Sequence, residues 1–473
     1  MRDGSTSPRG KRVGKIVGTV RQLTRVRGDR GAARGRPSVT GHAQTSKIGC
    51  PERDSASLAG MALDAQRVWN RCDELARFSE RTDALTRIFL SKEMRQADDL
   101  VGTWMREAGM VTRQDEAGNC IGRYEGVTPG MPCLMLGSHL DTVRDAGKYD
   151  GMLGVLSAIE CVALLDSSQQ RLPFAIEVVG FSDEEGVRFG STLLGSRAVA
   201  GRFDQAVLAY EDAEGVRMDD AIRSFGLDPA RICEAALDEN VIGFVEIHIE
   251  QGPVLEAENL PLAVVEGITG QTRLGLRFTG QANHAGTTPM HIRRDALAAA
   301  AEWITTVEAT ARNTEGLVAT VGKVAIEPNA GNVIPGVVSL SLDVRHMSSR
   351  TRNHWVKELI RDARIIAQRR GIELEWVEKM NERRVDMDPF LSLRLKLAIE
   401  AAGFPVKTMP SGAGHDAMCV AAVAPAAMIF VPSAGGRSHV GDEHTAPADL
   451  DLGAHALTAS IVAIDRLLAK ESA

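Results

Sequence analysis

Hydrophobic and polar residues follow two different periods along the chain from residue 61 onward. Apolar residues that recur every three or four positions indicate amphipathic helices, and short apolar or alternating runs indicate strands. Between residues 62 and 201 the helical pattern covers ALDAQRVWNRCDELARFSE, KEMRQADDLVGTWMREAGM, GVLSAIECVALLD and STLLGSRAVAG. The strand pattern covers NCIGRYEG, PCLMLG and FAIEVVGF. This alternation predicts an α/β fold in which helices sandwich a mixed, largely parallel sheet.

The pattern changes after the segment VVEGITG. The order strand, helix, strand, strand, helix, strand follows, in RLGLRFTG, DALAAAAEWITTVEATARN, LVATVGKVAI, VVSLSLDVRH, NHWVKELIRDARIIAQRRG and IELEWVEK. That order is typical of a ferredoxin-like α+β domain with a four-stranded sheet. The α/β pattern then returns in SLRLKLAIEAAG and AAMIFV. We therefore predict one α/β domain, residues 61–267 and 384–473, which is interrupted by an inserted α+β domain at residues 268–383.

The composition narrows the class of protein. The 473 residues are 44% hydrophobic and 25% charged, which is typical of a globular chain long enough for two domains. No apolar run approaches the ~18 residues that a membrane span needs, so we expect no membrane association. The seven cysteines are odd in number and contain no CxxC pair. This pattern indicates a reducing, cytoplasmic location and argues against a thiolate zinc site.

The charge is distributed unevenly. Residues 1–36 carry eleven Lys or Arg against Asp3 and Asp29, a local charge of +9, so the remainder of the −7 chain carries −16. An acidic body argues against a nucleic-acid partner. We interpret residues 1–60 as a basic, disordered tail. Alternatives are a translated upstream stretch, with Met61 as the real start, or a transit-like peptide.

Candidate ligands follow four of the predicted strands. His139 follows CLML, Glu184 and Glu185 follow FAIEVVGFS, His248 lies near the end of GFVEIHIEQG, and His439 follows AAMIFV. The carboxyl ends of strands in an open α/β sheet form one rim, where sites assemble. The sequence therefore predicts that these imidazoles and carboxylates converge.

This set of residue types indicates a divalent metal site. Imidazoles and carboxylates without thiolates suit Zn or Mn, and a bridging carboxylate suits a pair of ions that activates a water. One of the adjacent Glu184 and Glu185 could be a ligand while the other accepts a proton. Asp141, Asp145 and Asp150 lie in GSHLDTVRDAGKYDG, where ordinary turn roles are the alternative.

Seven segments together carry a resemblance to a known family. They are GSHLDTV…GKYDG, FSDEEGVRF, EIHIEQGPVLE, TGQANHAGTTPM, PNAGNVIPG, DVRH and SGAGHDAM. From about residue 62 onward the chain resembles the two-metal amidohydrolases that are allied to zinc exopeptidases. Within them it is similar to the ureido-hydrolysing branch, which includes allantoate amidohydrolase, N-carbamoyl-L-amino-acid hydrolase and β-ureidopropionase.

The resemblance implies two divalent ions, Zn or Mn, in each subunit. His139 and His248 would hold one ion and Glu185 and His439 the other, with Asp150 as the bridge. His444, five residues beyond His439, is the alternative histidine ligand.

Other roles are implied by the same resemblance. Asp141 would orient the imidazole of His139, and Glu184 would be the general base. The α/β domain would be catalytic, and residues 268–383 would form a lid and dimerisation module. The protein would be a homodimer in which His284 reaches the partner subunit's site and stabilises the oxyanion.

Three residues match substrate-contacting positions of the family. Arg345 suits a two-pronged grip on a carboxylate, and Gln271 and Asn332 would also bind substrate. His415 would line the pocket, with a purely structural turn as the alternative.

The segment around His439 departs from the family's pattern. Arg437 replaces an apolar residue before SH, and VGDE replaces a Pro-Ala-Glu-like run after it. Glu443 is the candidate for the place of that run's glutamate.

The resemblance implies hydrolysis of the C–N bond of a linear ureido carboxylate. Allantoate is the expected substrate, a step of purine catabolism that gives ureidoglycine, NH3 and CO2. The alternatives are N-carbamoyl-L-amino-acid hydrolase and β-ureidopropionase, and then a metallo-exopeptidase. The last is disfavoured because His248 stands where the peptidases usually have an acidic ligand. A non-catalytic relative would lack a ligand or the base, and this chain has them all.

Overall fold

A computed structural model describes residues 65–238 and 240–471. The predicted tail at residues 1–60 lies outside the described residues. The helices are α1 Ala65–Leu75, α2 Lys92–Glu107, α3 Met152–Ser167, α4 Leu194–Val199, α5 Met218–Ser224, α6 Val254–Glu258, α7 Ala296–Arg312, α8 Ser349–Arg370, α9 Pro389–Ala401, α10 Ala417–Val420 and α11 Pro447–Glu471.

Within the described residues the strands form two larger sheets and one small one. They are β1 Val111–Gln114, β2 Cys120–Tyr124, β3 Cys133–His139, β4 Ala175–Phe181, β5 Val241–Ile249, β6 Leu262–Ile268, β7 Gly270–Thr279, β8 Asn283–His284, β9 Val318–Thr320, β10 Val324–Glu327, β11 Val333–Ile334, β12 Val337–His346, β13 Glu373–Glu382, β14 Val385–Asp386, β15 Val406–Ser411 and β16 Ala426–Val431.

The main sheet has nine strands in the order β1-β2-β4-β3-β5-β16-β6-β14, with β15 paired to β6. Strands β4, β3, β5 and β16 are neighbours and run parallel to one another. Helices connect them, because parallel neighbours need a crossover connection. The predicted mixed α/β sheet is therefore confirmed.

The expectation of a largely parallel sheet holds only for the centre of this sheet and for β15 beside β6. Strand β1 is antiparallel to β2, β2 to β4, and β6 to both β16 and β14. The turn between β1 and β2, Asp115–Asn119, is too short for a crossover, so that pair can only be antiparallel. Apolar periodicity within a strand does not report this direction.

Hydrophobic clusters cover both faces of the main sheet. Alternation along β3 sends Leu134 and Leu136 to one cluster and Cys133 and Met135 to the other. Residues of α1, α2, α3, α9 and α11 complete the first cluster, and residues of α4, α6 and α10 contribute to the second. The core therefore fixes the faces of the central strands and, with them, the positions of their carboxyl ends.

The second sheet has five strands in the order β10-β12-β7-β13, with β9 also paired to β12. Helices α7 and α8 cover one face, where Trp303 and Phe278 lie in a separate hydrophobic cluster. The opposite face carries Gln271 beside Arg345. The order of strands and helices is the predicted one, and only the number of strands differs.

The fifth strand arises because the predicted strand LVATVGKVAI is broken. Thr320 pairs with Asp343 and Val324 with Leu340. The three residues between Thr320 and Val324 therefore oppose only two residues of β12. The extra residue interrupts the ladder, as in a β-bulge. The segment VGK between the two strands includes Gly322.

None of the helices in the described part of the chain combines the length and apolar composition that crossing a bilayer requires. Strand β6 and the long helix α11 were not predicted from the sequence.

Candidate active site

Four neighbouring parallel strands bring the predicted ligands to one edge of the main sheet. His139 is the last residue of β3, and His248 is the penultimate residue of β5. Glu184 and Glu185 follow β4, and His439 follows β16. Because these strands lie in the order β4-β3-β5-β16, their carboxyl ends are adjacent. The predicted convergence of these side chains is therefore found in the structure.

Asp150 lies at the centre of this edge, one residue before the N-cap of α3. The N-cap is Gly151, with φ of 75°. A Cβ on Gly151 would lie 2.4 Å from the imidazole of His139, so the backbone approaches this ring as closely as only glycine allows. The glycine therefore permits Asp150 and His139 to face one another.

The two oxygens of Asp150 face two different groups of side chains. Its Oδ1 lies 3.2 Å from His248 Nε2 and 3.7 Å from His139 Nε2. Its Oδ2 lies 3.1 Å from His439 Nε2, which is 3.4 Å from Glu185 Oε1. The two groups contain the residues that the family resemblance assigns to the two ions.

The hydrogen bonds of the two buried histidines favour a cation between these groups. The Nδ1 of His139 is 3.0 Å from the Asp141 carbonyl oxygen, and that of His248 is 2.9 Å from the Ile249 carbonyl oxygen. Each Nδ1 must donate there, so in the neutral ring each Nε2 presents a lone pair to Asp150. His248 Nε2 and Asp150 Oδ1 have no hydrogen-bond partner in the described structure. Two facing acceptors are stable only with a cation or proton between them, so the donor set fits metal ions.

Burial and neighbouring negative charges raise the pKa values of the adjacent Glu184 and Glu185. Burial, together with Glu185, Asp416 and Asp141, raises the pKa of Glu184 well above its usual range. Burial also raises the pKa of Glu185 to about 7. Such shifts are typical of sites that hold a cation or move a proton.

Asp141 acts differently from the expectation. Its carboxylate oxygens accept hydrogen bonds from the backbone amides of Glu184 and Glu185, at 3.0 and 3.1 Å. Its Oδ1 is 3.8 Å from His139 Nδ1, so the backbone carbonyl of Asp141, not its carboxylate, orients that ring. The carboxylate instead fixes the turn that carries both glutamates.

Three residues around Asp150 are not among the predicted site residues: Gln251, Ser438 and Glu443. Gln251 Nε2 and Ser438 Oγ donate to Asp150 Oδ2 at 2.9 and 3.0 Å. Glu443 accepts from the backbone amide of Asp150 at 3.1 Å, and its other carboxylate oxygen lies 2.9 Å from Ser438 Oγ. The sequence indicates Glu443 only as the candidate for the glutamate that the family has in the segment after His439. The proximity of Gln251 to His248, in EIHIEQG, was the one available signal for Gln251.

A cavity of about 270 Å³ opens above these residues, between the main sheet and the second sheet. Gln271 and Arg345, the two predicted substrate contacts on the second sheet, line it from that side. The side-chain oxygen of Gln271 is buried without a hydrogen-bond partner among the described residues. It is therefore available to an N–H donor of a bound molecule.

Three predicted residues do not line the cavity of their own chain. His284 is exposed and Asn332 lies beside it, where the Asn332 carbonyl accepts from the Ala285 amide at 2.9 Å. His415 is buried behind His248, with ring centroids 4.5 Å apart, and bonds Ser411 Oγ at 2.9 Å. Its burial favours the structural alternative over contact with substrate.

The alternative ligand His444 lies apart from both groups. Its ring packs edge-on against Tyr149, with centroids 6.0 Å apart, and it lines a separate cavity. His439 is therefore the histidine that the structure brings to Asp150.

Comparison with known proteins identifies the family. The model of peptidase family M20/M25/M40 matches residues 135–463, which include both groups of side chains that face Asp150. The chain belongs to peptidase family M20/M25/M40.

Several relatives of this M20/M25/M40 member are close along nearly their whole length. An N-carbamoyl-L-amino acid amidohydrolase of Geobacillus stearothermophilus is 40% identical over 402 residues, 84% of this chain and 97% of the relative. Allantoate deiminase 1 of Glycine max is 38% identical over 415 residues, 80% of this chain and 85% of the relative. A crystal structure of an amidase of the hydantoinase/carbamoylase family from Burkholderia multivorans matches with a TM-score of 0.80 and 32% identity, covering 85% of this chain and 98% of that one.

Metal binding to this M20/M25/M40 member is expected to strengthen as the pH rises. The hydrogen bond to Asp150 raises the pKa of His439 to about 8, and burial raises the pKa of Glu185 to about 7. Both groups must lose their protons to become ligands, so protons compete with the metal below these values. We expect the apparent affinity for Zn to rise by up to about tenfold per pH unit for each proton displaced.

Calorimetric titration of the metal-free protein with Zn, from about pH 6 to 9 in two buffers of different ionisation enthalpy, measures the affinity and the protons released. The variant His439→Gln should flatten the dependence near pH 8. The matched control His444→Gln should keep it, because His444 faces Tyr149. An affinity that is constant over this range contradicts the prediction.

Proposed function

We propose that this protein is a metal-dependent amidohydrolase that cleaves a C–N bond of a linear ureido carboxylate. The observation that carries the proposal is the carboxylate of Asp150, which faces three imidazoles and Glu185 at the floor of a cavity that Gln271 and Arg345 enter from the other side. Allantoate is the first candidate substrate, with ureidoglycine, NH3 and CO2 as products. The similarity to an allantoate deiminase supports it.

N-carbamoyl-L-amino acids are the second candidate substrates. The similarity to N-carbamoyl-L-amino acid amidohydrolase is as strong as that to allantoate deiminase. Both substrate classes carry a ureido group and a carboxylate. The side chains around Asp150 and the facing residues Gln271 and Arg345 therefore suit either class.

The chain's own residues divide into two groups of metal ligands. His139 and His248 would hold one divalent ion and Glu185 and His439 the other, and Asp150 belongs to both groups of side chains. Zn or Mn in these positions would polarise the ureido carbonyl and lower the pKa of a water. The amide and hydroxyl donors from Gln251 and Ser438 keep Asp150 in place.

Glu184 moves the proton. It lies in one group with His139 and Glu185 and lines the cavity, and Asp141 fixes its backbone amide. Its raised pKa makes its carboxylate a stronger base than an exposed glutamate. The carboxylate takes a proton from the attacking water and delivers it to the leaving nitrogen.

The opposite wall orients the substrate. The unpartnered oxygen of Gln271 accepts an N–H of the ureido group, and Arg345 binds the carboxylate. Asn332 and His284 act in a homodimer, in which each chain contributes these two residues to the active site of the other. His415, packed behind His248, positions that ligand.

The domain division is part of the proposal. Residues 61–267 and 384–473 form the catalytic domain, and residues 268–383 form a lid and dimerisation module. The separate hydrophobic cluster under α7 and α8 supports this division, because each unit then has its own core.

A substrate panel tests the proposal. Protein loaded with Zn or with Mn is incubated with allantoate, N-carbamoyl-L-amino acids, β-ureidopropionate and dipeptides, and ammonia and free amines are measured. We expect ammonia from the ureido acids, with allantoate fastest, and no dipeptide cleavage. Cleavage of dipeptides without hydrolysis of any ureido acid would overturn the proposal in favour of an exopeptidase.

A further inference from the structure

Three arginines line the cavity, and two of them already use part of their N–H donors within the protein. Arg345 donates from Nε and Nη2 to Asp343, at 2.9 and 3.0 Å, and from Nη1 to the Gly412 carbonyl at 2.6 Å. Arg273 donates from Nε to the same Asp343 at 2.9 Å. The carboxylate of Asp343 thus accepts hydrogen bonds from both guanidinium groups on the second sheet.

The third arginine, Arg197, has no such partner. It lies in α4 on the catalytic side of the cavity and is half-buried, and its guanidinium forms no hydrogen bond or ion pair with the described residues. Its five N–H donors are therefore available to a bound molecule. Leu193 and Met418 line the same cavity, and their apolar side chains limit what else can bind there.

Leaving a half-buried guanidinium unpaired is unfavourable, because it loses part of its hydration without a compensating hydrogen bond. A ligand with an acceptor oxygen would supply the missing hydrogen bond and compensate for the lost hydration. Gln271 and Arg345 take one ureido group and one carboxylate from the opposite wall, so the acceptor that meets Arg197 must be a further group of the substrate.

We propose that Arg197 determines substrate specificity by binding a second acceptor group, a ureido carbonyl or a carboxylate, carried by the substituent on the α-carbon of the substrate. This inference rests on the proposed ureido hydrolysis and narrows its substrate class. Allantoate carries two ureido groups on one carbon and satisfies Arg197. An N-carbamoyl amino acid with an aliphatic side chain leaves the guanidinium unpaired against apolar surface.

The test compares three variants on three substrates. The variant Arg197→Met removes the donors and keeps the length of the side chain, and Arg197→Lys keeps the charge but loses the planar fork. The exposed Arg202→Met removes the same charge outside the cavity and is the matched control. The substrates are allantoate and N-carbamoyl-L-aspartate, which have a second acceptor, and N-carbamoylglycine, which does not.

We expect Arg197→Met to lower kcat/KM about 10- to 100-fold for allantoate and N-carbamoyl-L-aspartate, and less than about threefold for N-carbamoylglycine. Arg197→Lys should fall between, and Arg202→Met should match the unmodified protein. Equal losses on all three substrates, or no loss on allantoate, would overturn the inference.

Binding measurements separate this inference from the proposed function. If the protein hydrolyses none of the three compounds, ureido hydrolysis is wrong, but the role of Arg197 is still measured by calorimetric titration of allantoate and N-carbamoylglycine. Weaker binding of allantoate alone to Arg197→Met supports the inference. Equal binding by the variant and the unmodified protein, including the absence of binding by both, overturns it.

Discussion

Replacing Glu184 by glutamine is expected to lower kcat for ureido hydrolysis by about 10²- to 10⁴-fold, the contribution typical of a general base. Glutamine has the shape of glutamate but cannot accept the proton, and the backbone bond from the Glu184 amide to Asp141 does not depend on the side chain. The two groups of side chains that face Asp150 do not include Glu184. We therefore expect the metal content and KM to change little.

Metal analysis, kcat and KM of the holoenzyme check this prediction. The matched control is Glu382→Gln, which removes a second carboxylate that lines the same cavity from the second sheet. It should keep kcat within about threefold, because it lies on the wall opposite the metal ligands. Full activity of Glu184→Gln contradicts the mechanism, and a loss of activity that parallels loss of metal would make Glu184 a ligand.

The central part of the site could be predicted because it depends on strand ends. Period and length identify β3, β5 and β16, and the rule that parallel strands end at one rim brings His139, His248 and His439 together. This inference needs the order of strand and helix along the chain, and no knowledge of distant contacts. Strand β12 could also be predicted from local sequence, because its apolar and polar residues alternate along the segment.

The support of the site could not be predicted, because it depends on contacts between distant parts of the chain. Glu443 reaches the backbone amide of Tyr149, 294 residues away, through a segment that has no apolar periodicity. The direction of β6 and the break between β9 and β10 likewise depend on pairing partners. Helix α11 was missed since its polar and small residues weaken its apolar stripe, and its burial comes from α3, α9 and the main sheet.

Replacing His284 by alanine is expected to lower kcat by about 10²- to 10³-fold, the loss typical of one oxyanion-stabilising donor. His284 Nδ1 accepts a hydrogen bond from the Gly286 amide at 3.1 Å, so in the neutral ring the proton is on Nε2. That N–H can donate to a developing oxyanion. His284 is exposed and does not line its own cavity, and the nearby Met290 and Ile292 are 76% and 60% exposed. An apolar surface beside a free donor suits contact with a second copy of the chain.

A mixing experiment separates action across the dimer from action within one chain. Glu184→Gln and His284→Ala proteins are each nearly inactive, but their heterodimer combines the Glu184 of one chain with the His284 of its partner. Random pairing after subunit exchange should restore roughly one quarter of the unmodified activity. Mixing Glu184→Gln with the double variant should restore none, because no chain then supplies Glu184. The exposed His291→Ala is the matched control and should keep its activity. Heterodimers that form without recovering activity would place His284 outside the partner's site, because a donor that crosses the interface must complement in this arrangement.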